Sequence, residues 1–464
     1  MSCYLAIDQG THASRAMVFD KNGNEVASAT AEVSLHRLDA VRVEQSAYEL
    51  NASIQKVLAD VLAQCKGKDI IACGLATQRS TVVGWGADGG AISPALSWQD
   101  VRGHKALVPL AKYAADIQRI TGLPLSPHYG ASKLHWLMQQ PGSSATDRYS
   151  PLVSYLLFYL LSDKPYLVDH CNAQRTQLFA LEQMDWSTQL CDWFGIDKKS
   201  LPECKPVCHD YGVLNNAAIP VTAVSGDQNA ALFGDGALQP GIARINLGSG
   251  AFVMRTLEHY QSSENQLTGI ALSNANNVTW MREATINGAG SALDWVEDRF
   301  NIANTRECIS GWLDQVKAPP IFINSVAGLG SPWWCSDLEP QFIESDLSAA
   351  QRIAAVVESI VFMIQANLEI MRAESELERL RVSGGLSNLD VLCQTLANLS
   401  GLTVERGTED EATARGIAWL AAGQPPGWQP RKLFDVFKPQ YDAGLQSRYE
   451  SAMTVLQKLI QTQE

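Results

Sequence analysis

Residues 4–11 read Tyr4-Leu5-Ala6-Ile7-Asp8-Gln9-Gly10-Thr11, and a second apolar run follows at Ala16-Met17-Val18-Phe19. Short apolar runs on either side of a polar corner are typical of two strands joined by a tight loop. Further along, helical apolar spacing from Ala47 to Cys65 is followed by a buried-strand pattern from Ile70 to Ala76. Strand and helix patterns alternate in this way through most of the chain, which predicts an α/β fold.

The second half of the chain begins the same pattern again. It reads Ile245-Asn246-Leu247-Gly248-Ser249 and continues into the apolar run Ala251-Phe252-Val253-Met254. Residues 7–11 and 245–249 share the order Ile, Asp or Asn, any residue, Gly, Thr or Ser, in the same strand–loop–strand context. We interpret this as a duplicated domain with a boundary in the turn-rich stretch 234–241. The predicted domains are residues 1–235 and 236–464, packed around a cleft.

Composition restricts the possible partners. The 464 residues carry a formal charge of −13 without a dense Lys/Arg run, so nucleic acid is not an expected partner. The ten cysteines have scattered spacings, which favours reduced thiols over a disulfide framework. The apolar run Pro151 to Leu161 is too short to span a bilayer, and no targeting pattern precedes the first strand. These features predict a cytoplasmic protein without a membrane or nucleic-acid partner.

The first polar loop suits a polyphosphate. Glycine lets backbone N–H groups approach phosphate oxygens, and Thr11 adds a hydroxyl donor. Asp8 can hold Mg²⁺, and Arg15 can stabilise charge on a transferred group. The loop Gly248-Ser249-Gly250 is its counterpart, with Asn246 where the first copy has Asp8. Two ordinary hairpin turns are the alternative, but the matched pair favours nucleotide binding.

Asp227 lies between an apolar strand and an apolar helix, in Gly226-Asp227-Gln228-Asn229. An acid in this position can serve as the base that phosphorylation of an alcohol needs. The alternative is a plain helix N-cap. Gly384-Gly385 follows a strand and can admit an adenine or ribose close to the backbone, although glycine pairs often just end strands. No Gly-x4-Gly-Lys-Ser/Thr is present, which excludes a Walker-type nucleotide site.

Taken together, these loops resemble the FGGY family of carbohydrate kinases, and the glycerol kinases within it in particular. The resemblance runs from about Tyr4 to Gly423. It rests on a series of short motifs in order: Asp8-Gln9-Gly10-Thr11 with Ser14-Arg15-Ala16, Thr77-Gln78-Arg79, Ser97-Trp98-Gln99, Lys133-Leu134-His135-Trp136, Gly226-Asp227-Gln228, Gly328-Leu329-Gly330-Ser331-Pro332, Gly384-Gly385, and Glu411-Ala412-Thr413-Ala414-Arg415-Gly416.

The resemblance implies a two-domain actin-like (ribonuclease H-like) ATPase fold with ATP and Mg²⁺ in the interdomain cleft. It implies Asp227 as general base and Asp8 at the metal. The residues that it places on the polyol are Arg79, Trp98, Asp227, Gln228 and Phe252. Those that match nucleotide-side positions are Thr11, Ser249, Gly290 and Gly385. Taken singly, Trp98 is more typical of a core residue than of a ligand contact, Arg79 of a solvated or ion-paired arginine, and His128 of a loop filler.

Several positions depart from the glycerol kinase pattern, four of them at candidate site residues. Ser80 stands where those enzymes carry a Glu that accepts hydrogen bonds from glycerol, and His128 stands where they carry a substrate-contacting Tyr. Both changes leave room for a larger substrate. On the nucleotide side, Asp294 replaces a Gln, and Asn388 lies one position earlier than the usual Asn.

The sequence therefore predicts an ATP-dependent kinase that phosphorylates a hydroxyl of a small polyol or sugar. Glycerol is the first candidate substrate, with a tetritol or pentulose as the main rival. A non-catalytic actin-like nucleotide or sugar sensor is an alternative from another class, and an actin-like ATPase or chaperone is a third. A homodimer is also a possibility that the sequence leaves open.

Overall fold

The structure is a computed structural model that describes residues 2–142, 144, 146–407, 411–428 and 435–462. Within these residues the strands are β1 (Ser2–Gln9), β2 (Ala13–Asp20), β3 (Glu25–Glu32), β4 (His36–Arg37), β5 (Val43–Gln45), β6 (Asp69–Thr77), β7 (Val82–Trp85), β8 (Ala95–Leu96), β9 (Arg148–Pro151), β10 (Leu167–Asp169), β11 (Phe179–Ala180), β12 (Asp185–Trp186), β13 (Glu203–Lys205), β14 (Val221–Gly226), β15 (Ile242–Leu247), β16 (Ala251–Leu257), β17 (Leu267–Ser273), β18 (Val278–Ile286), β19 (Phe322–Ile323), β20 (Gln341–Phe342), β21 (Arg379–Ser383), β22 (Thr403–Arg406) and β23 (Val436–Phe437).

The α-helices in the same residues are α1 (Ala47–Gln64), α2 (Ala114–Thr121), α3 (Gly130–Met138), α4 (Leu152–Leu160), α5 (His170–Gln174), α6 (Thr188–Phe194), α7 (Asp227–Ala231), α8 (Gly290–Phe300), α9 (Thr305–Gln315), α10 (Ala349–Glu374), α11 (Asp390–Ser400), α12 (Ala412–Ala421) and α13 (Ala443–Gln461). Short 3₁₀ helices cover Arg102–Tyr113, Lys198–Ser200 and Gly385–Asn388. The predicted alternation of strands and helices is confirmed.

The chain divides into two compact units, and neither is one continuous segment. The first unit comprises Met1–Leu238, Leu257–Met281 and Glu411–Arg431, and the second comprises Gln239–Thr256, Arg282–Asp410 and Lys432–Glu464. The chain thus returns to the first unit twice after residue 238. The linear division at 235/236 stays a prediction.

The first unit is built on a sheet with the strand order β14-β6-β1-β2-β3. β1 runs antiparallel to β2 and parallel to β6, and β6 runs parallel to β14. Helix α1 packs on β2 and β3, while α12 packs on β1, β6 and β14. Because β1 has helices near both faces, its side chains from Leu5 to Ile7 are all fully buried. A second sheet in this unit has the order β4-β5-β8-β7-β9.

The second unit repeats the hairpin arrangement. β15 runs antiparallel to β16 and parallel to β21, as β1 does with β2 and β6. β21 and β22 then pair in parallel, and β23 closes that side in antiparallel pairing. The two five-residue motifs that the sequence analysis compared therefore end equivalent strands, β1 and β15.

Helix α10 is the central helix of the second unit's core and packs on α8, α9 and α11. It begins with a capping box, in which the Ser348 hydroxyl accepts from the Gln351 N–H and the Gln351 side chain accepts from the Ser348 N–H. Among the described residues α10 is the one helix long and apolar enough to cross a membrane, and 89% of its most apolar window is buried inside the protein. That burial is what a core helix requires.

Candidate active site

Three neighbouring parallel strands of the first unit end at one edge of its sheet. In the β-sheet register Asp8 of β1 lies beside Ala76 of β6, and Gly226 of β14 lies beside Thr77 of β6. The residues that follow these positions therefore emerge at the same edge. In α/β sheets the carboxyl ends of the strands are where ligands bind. Asp8, Arg79 and Asp227, which are far apart in sequence, meet here.

Asp227 is the first residue of α7, and Gly226 occupies the N-cap position. The plain N-cap interpretation of Asp227 is therefore wrong. Its Oδ1 accepts a hydrogen bond from the backbone N–H of Gln228 at 2.7 Å and lies 3.7 Å from Nε of Arg79. The Asp227 side chain is 25% exposed. A carboxylate that is held in place yet reachable from solvent can accept a proton from a bound hydroxyl.

Arg79 is 9% exposed and is held from two directions. Its Nη1 donates to Oδ1 of Asn229 at 3.1 Å, while its Nε faces Asp227. Its aliphatic stem passes so close to Gly226 that a Cβ there would lie 2.6 Å from Cγ of Arg79. Glycine at 226 is thus required for this arginine to reach the carboxylate. Arg79 is ion-paired with Asp227, and its role on the polyol stays a prediction.

Replacing Arg79 with Met is expected to raise the polyol KM by about 10- to 100-fold, because hydrogen bonds from a charged donor contribute roughly 1.5–3 kcal/mol. Initial rates at varied polyol and saturating ATP measure this. Arg119→Met is the control, since Arg119 is 60% exposed and pairs with Asp116 on the same helix. A change of less than threefold for Arg79→Met would remove Arg79 from the polyol site.

Asp8 is 6% exposed at the end of β1. Burial, and after it the nearby Asp227 carboxylate, raises its pKa to about 7 against the opposing effect of Arg15. Nη1 of Arg15 lies 3.8 Å from Oδ2 of Asp8, and Nε of Arg15 lies 3.4 Å from Oε1 of Glu411. A buried carboxylate with a carboxylate neighbour is stabilised as an anion by a cation, so the residues fit Mg²⁺.

Mg²⁺ bound at Asp8 would need phosphate oxygens as ligands in addition to the protein. In the described part of the chain, no group of three or more His, Cys, Asp or Glu residues could hold a metal ion. Mg²⁺ is usually held by one or two carboxylates together with phosphate oxygens and water, and not by an all-protein cage. Asp8 provides one such carboxylate.

Trp98 links the substrate side of the first unit to its phosphate loop. The indole Nε1 of Trp98 donates to the hydroxyl of Thr11 at 3.0 Å, and its backbone N–H donates to the hydroxyl of Thr81 at 3.1 Å. The ring centroid of Trp98 lies 5.6 Å from that of His128 in an edge-on arrangement. Both rings are half-buried. Trp98 is therefore positioned by polar contacts at two atoms, and it is less buried than a core tryptophan such as Trp85, which is 0% exposed.

Ser80 has a left-handed backbone with φ of 62°, which is uncommon for a residue other than glycine. It is 5% exposed, and its hydroxyl donates to the Arg175 carbonyl at 3.5 Å. Backbone strain of this kind costs of order 1–3 kcal/mol and persists where the surroundings enforce it. The strained residue directly follows Arg79, the partner of Asp227.

Gln228 carries an open acceptor beside the catalytic candidate. Its Oε1 is buried, and no donor among the described residues reaches it. A buried acceptor without a partner costs about 1–3 kcal/mol. A hydroxyl of a bound polyol would satisfy it, which fits the prediction that Gln228 binds substrate.

In the second unit, Ser249 and Gly290 form a compact backbone loop after β15. The Ser249 carbonyl accepts from the N–H groups of Ala289 and Ser291, and the Gly290 N–H donates to the Gly248 carbonyl at 2.9 Å. A Cβ on Gly290 would lie 2.9 Å from that carbonyl oxygen. The close approach of backbone to backbone explains the glycine.

Gly384 and Gly385 end β21 beside the same loop, because Asn246 and Ser383 are register partners. Gly384 has φ of 91°, and a Cβ there would lie 2.6 Å from the Leu247 carbonyl oxygen. Gly385 is exposed, and a Cβ there would meet nothing within 4 Å. The two glycines therefore differ: Gly384 is needed for packing, while Gly385 leaves space that a ligand can fill.

Three further predicted residues lie apart from these contacts. Asp294 is exposed on α8, and Asn388 is exposed at the end of its 3₁₀ helix. Phe252 is half-buried on β16, opposite Asn246 in the register. Within the described residues, the structure gives none of them a side-chain contact with another predicted site residue, so their roles remain predictions.

Comparisons with known proteins identify the family. The profile of the "FGGY family of carbohydrate kinases, N-terminal domain" matches residues 3–234, and that of the C-terminal domain matches residues 243–424. The chain belongs to the FGGY family of carbohydrate kinases. It is 33% identical to Glycerol kinase 1 of Pseudomonas aeruginosa over 448 residues, covering 91% of this chain and 90% of that relative.

Solved structures agree with the fold of this FGGY kinase. The crystal structure of Plasmodium falciparum glycerol kinase with ADP matches with a TM-score of 0.89, at 23% identity, over 99% of this chain and 98% of the other. A xylulose kinase from Brucella ovis matches with a TM-score of 0.87, at 22% identity, over 98% of both chains. The prediction of a two-domain actin-like ATPase fold is confirmed. The prediction of an ATP-dependent carbohydrate kinase that uses Mg²⁺ is confirmed at the level of the family.

The FGGY site in this chain includes residues that the sequence analysis missed. Asn229 holds Arg79, and Gln78 connects two strands by donating to Oε1 of Gln9 and of Gln45. Asn229 could have been found, because it directly follows the quoted motif Gly226-Asp227-Gln228. The partners of Gln78 could not, because nothing in local spacing indicates which distant side chains it meets.

Proposed function

We propose that this FGGY kinase transfers the γ-phosphoryl group of ATP to a hydroxyl of a small polyol, with glycerol as the first candidate. The proposal is supported above all by the Asp227 carboxylate, which is partly exposed to solvent and lies 3.7 Å from Arg79. Asp8 lies near it at the same edge of the first unit's sheet. Phosphoryl transfer to an alcohol needs a base at the attacking hydroxyl and positive charge near the phosphates. Asp227 and Arg15 supply these.

On the substrate side, Asp227 accepts the proton of the attacking hydroxyl. Arg79 donates to a substrate oxygen, and the open Oε1 of Gln228 accepts from a second hydroxyl. Trp98 and His128 provide an apolar and aromatic wall for the carbon chain. The remaining proposed polyol residues are Ser80 and Phe252.

On the nucleotide side, Asp8 would hold Mg²⁺, which neutralises phosphate charge when bound. Thr11 and Arg15 in the first unit, and Ser249 and Gly290 in the second, are placed on loops suited to phosphate. The open backbone at Gly385 suits the nucleoside, with Asp294 and Asn388 as further proposed contacts. We also propose residues 1–235 as the substrate-side domain and 236–464 as the nucleotide-side domain.

The substrate alternatives are a tetritol or a pentulose. Ser80 is small and buried where glycerol kinases carry Glu, so a polyol bound here lacks one carboxylate acceptor and gains space. That observation favours a longer substrate. A cytoplasmic location, a homodimer, and a lack of nucleic-acid and membrane partners also remain proposals, and they do not affect the chemistry.

The test is ADP release by the purified protein with ATP and Mg²⁺ over glycerol, erythritol, ribulose, xylulose and ribitol. We expect one of these to raise turnover well above the rate with ATP alone. The compound with the highest kcat/KM names the substrate. ADP release at the same rate with and without every alcohol would favour an ATPase, and tight ATP binding without turnover would favour a sensor.

A further inference from the structure

Lys133 is a fully buried lysine on α3 whose ammonium group lies between two substrate-side loops. Its side chain has an exposed fraction of 0%. Its Nζ donates to the Ser97 carbonyl at 3.0 Å and to the His128 carbonyl at 2.8 Å. Ser97 directly precedes Trp98, so both acceptors belong to the loops that carry Trp98 and His128.

The two loops also meet at their aromatic side chains. The Trp98 and His128 rings touch edge-on, with centroids 5.6 Å apart. The Ser97 carbonyl also accepts from the Asp100 N–H at 2.9 Å, and the His128 carbonyl accepts from Lys133 at 2.8 Å. Lys133 therefore fixes the distance between the two backbones at the point where the two rings emerge.

Burying a lysine costs free energy, because its charged form loses its hydration. Burial, and after it the nearby Arg102, lowers its pKa to about 7 against the opposing effect of Asp100. Arg102 is itself paired with Asp100 and Glu44, so its charge is largely compensated. An apolar side chain would fit a buried helix position without this desolvation, so the two hydrogen bonds are the feature that distinguishes lysine here.

We propose that Lys133 is a positioning residue that sets the separation of Trp98 and His128 and thereby determines affinity for the polyol. The proposal rests on the proposed function of these two side chains as a wall of the polyol site. Lys133 itself does not touch the substrate in this arrangement. Both an ammonium group, with three N–H donors, and a neutral amine, with two, can satisfy the two carbonyls.

Lys133→Met removes the donors and keeps an unbranched side chain that is one atom shorter. We expect the polyol KM to rise about 10-fold or more, since displaced rings no longer fit the bound polyol and uniform binding is lost. We expect the ATP KM and kcat to change less than threefold, because the wall that Lys133 positions holds the polyol equally in the ground state and the transition state. Lys133→Gln keeps an N–H donor for one carbonyl, so its polyol KM should lie between those of Lys133→Met and the wild type. It replaces Lys133→Met in the test if the Met variant does not fold.

Gln174→Met is the matched control. Gln174 is 1% exposed, and its Nε2 donates to the carbonyls of Thr121 at 2.8 Å and Thr268 at 2.7 Å, neither of which is a proposed polyol residue. We expect a comparable loss of thermal stability with the polyol KM within threefold of wild type. Equal changes in the polyol KM for the Lys133 and Gln174 variants would overturn the proposal, as would a folded Lys133 variant with the wild-type polyol KM.

A second readout does not depend on turnover. The ring C–H signals of His128, assigned with a His128→Gln variant, should shift in Lys133→Met and stay in place in Gln174→Met. This readout distinguishes a failure of the proposed positioning role of Lys133 from a failure of the proposed kinase function. Unshifted His128 signals overturn the positioning role even if no polyol is phosphorylated, whereas shifted signals without any turnover support the positioning role and count against the proposed function.

Discussion

Asp227→Asn is expected to lower kcat about 10²- to 10⁴-fold, which is the usual contribution of a general base. The amide has the size of the carboxylate, and its oxygen can still accept from the Gln228 N–H that the structure shows at 2.7 Å. It cannot take a proton from the attacking hydroxyl at neutral pH. The polyol KM should therefore stay within tenfold of wild type while turnover is lost. Initial rates at saturating ATP and varied polyol separate the two parameters.

Asp116→Asn is the control for this change. Asp116 also lies in the first turn of a helix and pairs with an arginine, at 3.0 Å, but its side chain is 52% exposed. We expect wild-type kinetics from it. A kcat for Asp227→Asn within tenfold of wild type would rule out Asp227 as the base.

Gly416→Ala, which adds a single methyl group, is expected to lower both kcat and the free energy of unfolding. A Cβ on Gly416 would lie 1.9 Å from the Ala230 carbonyl oxygen, so α7 has to move away from α12. Asp227 begins α7, and a shift of about 1 Å in a reacting group can cost 10²-fold in rate. We expect kcat to fall about 100-fold, with a loss of roughly 1–3 kcal/mol in the free energy of unfolding from overpacking.

Gly311→Ala provides the comparison. Gly311 lies within α9, and a Cβ there meets nothing within 4 Å. Replacing a helical glycine in open space with alanine should leave kcat unchanged and raise stability by up to about 1 kcal/mol. Chemical denaturation and initial rates on both variants measure the two effects. Wild-type kcat and stability in Gly416→Ala would mean that α12 does not hold α7 in place.

The sequence predicted the parts of this protein that follow from local patterns. The two hairpins could be found because each pairs short apolar runs with a polar glycine corner, and the helix from Ala47 and the strand from Ile70 lie within a residue or two of α1 and β6. Asp227 could be placed at a strand–helix junction for the same reason. The side chains around Asp227 could not be predicted, because the contact with Arg79 depends on the register of β6 and β14.

Long-range assembly is what the sequence did not reveal. Nothing in the local pattern of Leu257–Met281 or Glu411–Arg431 shows that these segments pack with the first unit. The motif containing Gly416 could be recognised in the sequence. The need for glycine at this position follows only from the contact of α12 with the Ala230 carbonyl. In the same way, Ser80 gives no local sign of its left-handed backbone, which the surrounding fold enforces.

The most direct measurement of the central claim follows the phosphoryl group itself. The protein is incubated with ATP labelled at the γ-phosphate, Mg²⁺ and the best alcohol of the panel, and the products are separated. We predict that the label appears in the phosphate ester of the alcohol and that Asp227→Asn slows this transfer about 100-fold or more. Label found only in inorganic phosphate, or ester formed as fast by Asp227→Asn as by wild type, would contradict the account.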